Sequence, residues 1–186
     1  LVGSNSPASV KSTPSPRVLV EEPDDCNINL RNQGDSIALA KERTKTYARS
    51  RVKVIIGGTP TVEGVSAIAA EMQVTDQRVG MIPCHVCGDA HVLSFDNLRW
   101  ETDDGLSHPV YGNVVLQSAH YQCPLCEVKW TDAQKNLNVR RGWWQATAPF
   151  TGAAGFYLNE LYSPFPGSIM SELLKKKLVA EAEFAR

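Results

Sequence analysis

Arg17-Val18-Leu19-Val20-Glu21-Glu22-Pro23-Asp24-Asp25 opens with a short apolar run and stops abruptly in acids around a proline. Such a run reads as a buried strand ending in an acidic loop. A second β-branched run, Val52-Lys53-Val54-Ile55-Ile56, closes in Gly57-Gly58-Thr59-Pro60-Thr61. Between the two, residues 36–49 keep Ile37, Ala40, Thr44 and Tyr47 on one face and Lys41, Glu42, Arg43 and Lys45 largely off it. That is the period of a helix, with Asp35 or Ser36 as its cap. Strand, helix, strand, with both strands nearly uniformly apolar, predicts a parallel βαβ unit covered on both faces. In such sheets the chemistry sits beyond the carboxyl ends of the strands, where both unusual loops fall.

Downstream the texture changes to short strands, aromatics and two cysteine pairs, Cys84/Cys87 and Cys123/Cys126. Zinc takes four soft ligands in a tetrahedron, and a Cys-x-x-Cys on a tight turn aims two sulfurs at one point. The two turns are Pro83-Cys84-His85-Val86-Cys87-Gly88 and Gln122-Cys123-Pro124-Leu125-Cys126-Glu127. Gly88 permits the left-handed backbone that often follows such a turn. The interval between the pairs exceeds the commonest ~15–20 residues. It contains strand-like Val92-Leu93-Ser94-Phe95 and Val114-Val115-Leu116, which suits a long ribbon with an excursion. The duplication counts against a redox dithiol, which needs one motif. A histidine standing in for one cysteine remains open, with His85, His91 and His120 nearby. A four-cysteine zinc (Zn2+) site has no open coordination position, so its expected role is structural.

The bulk numbers set outer limits. Hydrophobic content of 42% and charged content of 21% over 186 residues are those of a soluble globular protein. No apolar run approaches the ~20 residues that span a bilayer, and the first residues lack the basic start and apolar centre of a signal peptide. The start without Met reads as an internal piece of a longer, intracellular protein. A formal net charge of −1 gives no global pull toward nucleic acid, so any contact must come from local patches. Two are visible: Arg140-Arg141 beside Trp143-Trp144, and Lys175-Lys176-Lys177, which also reads as a solvated helix face. Four cysteines in close pairs with Cys26 left over suit a reducing compartment rather than a disulfide framework. A short helix is expected over residues 65–72, a further strand at Phe156-Tyr157-Leu158, and a closing helix from Ser168 with Ile169, Leu173, Leu174 and Leu178 on its apolar side.

An acid pair directly after a buried strand is how many P-loop NTPases hold magnesium and polarise the attacking water. Glu21 and Glu22 stand there, and a solvated strand end is the competing reading. The phosphate-cradling Gly-x-x-x-x-Gly-Lys-Ser/Thr is absent. Residues 3–12 offer no second glycine at the right place, and a strand rather than a helix follows. This chain alone is not expected to bind ATP well.

Several segments, in order along nearly the whole chain, resemble the large terminase subunit of lambda-like tailed phages. They are Gly3-Ser4-Asn5-Ser6-Pro7-Ala8 with Lys11-Ser12, Val18-Leu19-Val20-Glu21-Glu22 with Asp24, Glu42-Arg43-Thr44, Ile56-Gly57-Gly58-Thr59-Pro60-Thr61 and Ser66. Asp76-Gln77-Arg78, Pro83-Cys84-x-x-Cys87-Gly88, Leu98-Arg99-Trp100 and Tyr121-x-Cys123-x-x-Cys126 follow. Arg141-Gly142-x-Trp144-x-Ala146-Thr147-Ala148-Pro149 and Gly155-Phe156-x-Leu158-Asn159-x-Leu161-Tyr162-Ser163-Pro164 complete the set.

The resemblance implies an α/β fold: a partial parallel sheet of a P-loop NTPase of the ASCE type with an inserted four-cysteine zinc ribbon. It implies the second half of an ATPase core over residues 1–79, the ribbon over 80–140, and a return strand and helix of the ATPase layer over 141–186. By the same likeness Glu22 is the catalytic base. Glu21 holds Mg2+ where the family has Asp, and Thr59 belongs to a coupling motif that senses the γ-phosphate of ATP. Gly57 and Gly58 let the backbone approach the nucleotide. The implied activity is ATP-driven packaging of double-stranded DNA by a homo-oligomeric motor in the host bacterial cytoplasm, with the small terminase subunit, the portal and the capsid as partners and no membrane. The phosphate-binding half and the metal-dependent endonuclease of the family are expected upstream of Leu1 and beyond Arg186. Two other readings stand beside it: a zinc-ribbon module that grips nucleic acid or protein, using Arg99-Trp100, Arg140-Arg141 and Trp143-Trp144, and an inactive prophage remnant.

Overall fold

β1 (Arg17–Glu21) and β2 (Lys53–Gly57) lie side by side and parallel, in register from Arg17 opposite Lys53 to Glu21 opposite Gly57. The structure, a computed structural model, describes residues 11, 14–27, 29, 32, 34–47 and 51–184. Most of residues 3–12, the stretch that fails to make a phosphate-cradling loop, lies outside them. Contacts group the chain into two compact units, residues 1–74 and 75–186.

In the first unit, α1 (Ser36–Glu42) connects the strands, capped by Asp35, whose carboxylate accepts from the amides of Ile37 at 3.3 Å and Ala38 at 3.1 Å. The helix expected through residue 49 stops at Glu42. Thr44 explains the stop, because its hydroxyl donates to the Lys41 carbonyl at 2.8 Å and offers the backbone an alternative to the helical ladder. α2 (Ala67–Gln73) starts at Ser66, which accepts from the Ala69 amide at 3.2 Å. Lys41 reaches Glu71 at 2.6 Å and ties the two helices together.

The expectation that both faces of this sheet are covered does not hold among the described residues. Leu19 is 63% exposed and Ile55 46%. Two strands leave each with one open edge, and no described element shields both faces. The apolar runs have the composition of internal strands, while the paired sheet has only two members.

The second unit is organised by β3 (Arg78–Pro83). It pairs antiparallel with β4 (Ala90–His91) and β8 (Trp143–Gln145), and parallel with β9 (Phe156–Tyr157). A separate antiparallel sheet comprises β5 (Leu98–Thr102), β6 (Val114–Gln122) and β7 (Lys129–Trp130). Residues 141–186, grouped from sequence with the ATPase layer, thus pair and pack with the cysteine-bearing strands: β8 and β9 border β3, and α4 (Met170–Phe184) lies on β6. The strand expected at residues 92–95 is instead an irregular stretch leading into a tight turn, Phe95–Asn97.

α3 (Asp132–Arg140) has no counterpart in the periodicity analysis, because the residues it buries are Lys135 and Asn138 rather than an apolar stripe. Its start is nonetheless written locally. Thr131 and Gln134 form a capping box, each side chain bonding the other's backbone amide. Lys135 donates to the Ser163 carbonyl at 2.8 Å, and burial pushes its ammonium below the ordinary lysine value, partly offset by Asp132.

The core contains Ile82, Leu93, Leu98, Tyr121, Trp130, Leu161, Tyr162, Met170, Leu173 and Leu174, with Cys84 and Cys123 among them. Tyr162 holds two segments together: its hydroxyl donates to the Gly80 carbonyl at 2.8 Å and accepts from the Leu93 amide at 3.0 Å. Asp76, 1% exposed, accepts from Arg78 Nε at 2.8 Å and from the Gly155 amide at 3.2 Å. Its own carbonyl accepts from Thr147 and Ala148. Tyr162→Phe keeps the ring and strips two buried backbone groups of their partner, so it should destabilise the chain by about 1–3 kcal/mol in denaturant unfolding.

Candidate functional site

Each cysteine pair sits on a turn of the same construction. Cys84 donates its amide to the Asp89 carbonyl at 2.9 Å and accepts from the Gly88 amide at 3.0 Å. Cys123 does the same with Val128 at 3.0 Å and Glu127 at 3.0 Å. The residue after the second cysteine takes a positive φ in both turns, +80° at Gly88 and +60° at Glu127. Glycine fits that backbone freely and glutamate does not, so the second turn holds its shape at some strain. One turn leads from β3 to β4 and the other from β6 to β7, and the four Sγ atoms all lie within 4.8 Å of one another. Cys84 and Cys126 are 3.8 Å apart. A tetrahedron with ~2.3 Å metal–sulfur bonds has edges of roughly 3.8 Å, so the donor set fits one metal ion. All five cysteines, Cys26 included, are free thiols.

Two of the histidines near the cluster have ring-nitrogen partners elsewhere, and His91, whose ring nitrogens are buried without one, does not join the four sulfurs. His85 Nδ1 contacts Asn138 Nδ2 at 3.1 Å, and His120 Nδ1 contacts the Ser118 carbonyl at 2.8 Å. His91 stacks on Tyr121 with ring centroids 5.8 Å apart, and burial lowers its pKa. Among the described residues, the group that closes on one point is the four cysteines. Burial raises the Cys84 thiol, but the amides of Cys87 and Val86 together with the Cys126 and Cys87 thiols outweigh it and bring it down to about 7. Desolvation and the three neighbouring sulfurs push Cys87 up to about 12.

In the first unit the sequence-derived residues Glu21, Glu22, Gly58 and Thr59 come together at the carboxyl ends of the paired strands. Glu21 ends β1 opposite Gly57. Glu22 donates its amide to the Gly57 carbonyl at 2.9 Å and adopts φ 48°, ψ 62°, unusual for a residue with a side chain. Its Oε2 accepts from the Thr59 amide at 3.3 Å. Gly58 passes so close to this turn that an added Cβ would sit 2.6 Å from Pro23 Cδ, so the close approach at Gly58 is to the chain's own acidic turn. Nothing lies within 4 Å of the corresponding point on Gly57.

Sequence reasoning left Asp24 without a role. Its Oδ2 accepts from the Thr61 amide at 3.0 Å and the Thr61 hydroxyl at 2.7 Å, and its Oδ1 accepts from the Ile68 amide at 2.9 Å. The Ile68 amide above all, with Thr61 and Ser66, holds this carboxyl well below the usual carboxylate range. No spacing rule links residues so far apart in sequence.

The family model for the phage terminase large subunit gpA, ATPase domain, matches residues 1–144. The chain belongs to this terminase family. No curated protein and no solved structure matches it. The match spans both the acid pair and the cysteine cluster, so a terminase ATPase domain is the setting of both.

The surface features of this terminase chain sort out by their partners. Lys175 pairs with Glu172 at 2.7 Å, Lys176 with Glu160 and Lys177 with Glu181, so the lysine run is a neutralised helix face. Trp143 and Trp144 are 49% and 41% exposed, on β8, which Gly142 separates from Arg140-Arg141. Trp144 meets Phe156 edge-on at 4.9 Å, and the Arg78 guanidinium lies over the Phe156 ring at 5.3 Å. No helix among the described residues is long and apolar enough to cross a membrane.

Protein purified without chelator should retain about one equivalent of a thiophilic divalent metal per chain by elemental analysis. Cys123→Ser should lose that metal and lower the thermal midpoint. Acidification should release it, because each sulfur must shed its proton to bind.

Proposed function

We propose that this chain works in a DNA-packaging motor, contributing the acid pair and the following strand's loop to ATP hydrolysis coupled to translocation of double-stranded DNA. The observation that carries the reading is the bond from the Thr59 amide to the Glu22 carboxylate at 3.3 Å, across the carboxyl ends of two adjacent parallel strands. Membership of the terminase ATPase family supports it. On this reading Glu21 holds Mg2+ and Glu22 orients and deprotonates the attacking water. Thr59 and Gly58 lie where a terminal phosphate would be sensed, so a shift of that loop is felt directly at the base. The phosphate cradle comes from the upstream half of the family's ATPase, in a P-loop NTPase sheet. Double-stranded DNA, the small terminase subunit and the portal and capsid are the partners, and the motor is a homo-oligomer in the host bacterial cytoplasm.

Zinc is assigned to the four-cysteine centre, since tetrahedral thiolate sites select zinc or iron. A colourless protein with stoichiometric zinc is the expected result. The centre has no open position and therefore a structural role.

A second reading has its own support: the exposed Trp143 and Trp144 beside Arg140 and Arg141 suit a module that stacks on and neutralises nucleic acid. The two readings separate cleanly. Supplying the family's phosphate-binding half in trans should restore ATPase activity, and Glu22→Gln should reduce turnover by about 100-fold or more. DNA binding that is indifferent to Glu22→Gln but disappears on metal removal, with no ATPase under any condition, would favour the module instead.

A further inference from the structure

The 58–61 loop is solvent-exposed and carries no secondary structure of its own, yet it presents Thr59 to Glu22. Two features hold it. Gly58 rests against the Pro23 ring, a contact that limits movement in one direction. Asp24 supplies the rest, gripping Thr61 through both its amide and its hydroxyl with one carboxylate oxygen, and Ile68 at the start of α2 with the other. Glu22, held at positive φ, has no other described side-chain partner among these loops than the Thr59 amide.

We propose that Asp24 is a positioning residue: by clamping Thr61 and the start of α2 to the acidic turn, it keeps the Thr59 amide against the Glu22 carboxylate. The catalytic consequence rests on the reading of Glu22 as the base; the mechanical link does not. Asp24 touches neither Thr59 nor Glu22's carboxylate, so it acts through Pro60, the one residue between Thr59 and Thr61. An ionised carboxylate accepts these bonds more strongly than a neutral amide would, and the cluster of donors around Asp24 keeps it ionised. A cap for α2 alone would need only the Ile68 bond. The two Thr61 bonds are the part that serves the loop.

The test is amide hydrogen exchange by NMR on the full chain, comparing Asp24→Asn, Thr61→Val and Thr61→Ser. Loss of a charge-assisted bond should speed exchange at Thr59 about tenfold in Asp24→Asn, although Asp24 does not touch that amide. Thr61→Val should move Thr59 in the same direction and Thr61→Ser should leave it as in the parent chain. The threonine pair keeps the idea testable if Asp24→Asn does not fold. Thr59 exchange unchanged in Asp24→Asn or Thr61→Val, with only Ile68 affected, reduces Asp24 to a helix cap and overturns the proposal.

With the phosphate-binding half supplied in trans, Asp24→Asn should lower kcat about tenfold with KM for ATP little changed, because the base is misplaced while the half that cradles the phosphates is untouched. Unchanged kcat in Asp24→Asn alongside an inactive Glu22→Gln also overturns it. Should Glu22→Gln retain full turnover, the motor reading fails by itself, and the Thr59 exchange result still decides the role of Asp24.

Discussion

Four sulfurs within 4.8 Å of one another cannot all be thiolates unless a cation sits between them. That constraint governs the second unit. Cys84 and Cys123 are not appended to the core but belong to it, in one cluster with Ile82, Leu98, Tyr121 and Trp130. Each cysteine turn also reverses a strand, β3 into β4 and β6 into β7. A metal at this point would fix two hairpins at once. Through β3 the constraint reaches β8 and β9, and through β6 it reaches the C-terminal helix. Binding energy of the ion becomes folding energy wherever the site does not exist in the unfolded chain.

The first unit is held differently. Its sheet has two strands with exposed apolar side chains, so little of its order comes from burial. Carboxylates do the organising: Asp35 caps α1, Asp24 joins a loop to α2, and Glu22 reaches the Thr59 amide. Such bonds are directional, so they define the geometry of a loop pair more sharply than apolar contact would. They are also few, which leaves the loops able to move together when one bond changes.

Burial of polar groups recurs in the second unit. Asp76 with the Gly155 amide and Lys135 with the Ser163 carbonyl both hold distant segments through buried charges. A buried charge is tolerable only with partners in place, so each of these selects one arrangement of the chain against its alternatives. Tyr162 acts likewise with a hydroxyl between Gly80 and Leu93.

Much of this was written locally. The two β-branched runs became paired parallel strands, Asp35 and Ser66 became caps, and both Cys-x-x-Cys segments became tight turns that expose paired sulfurs, because each depends on residues a few positions away. The Thr131-x-x-Gln134 capping box is equally local, but a reading of the sequence by periodicity misses α3 because its buried face is polar rather than an apolar stripe. Other features took the folded chain to decide. The exposure of Trp143 and Trp144, the neutralisation of Lys176 by Glu160 and the grip of Asp24 on Thr61 and Ile68 all follow from which segments meet. A side chain's type states what it can bond; only the fold brings the partner within 3 Å or so, and for residues dozens of positions apart no pattern in the sequence carries that distance.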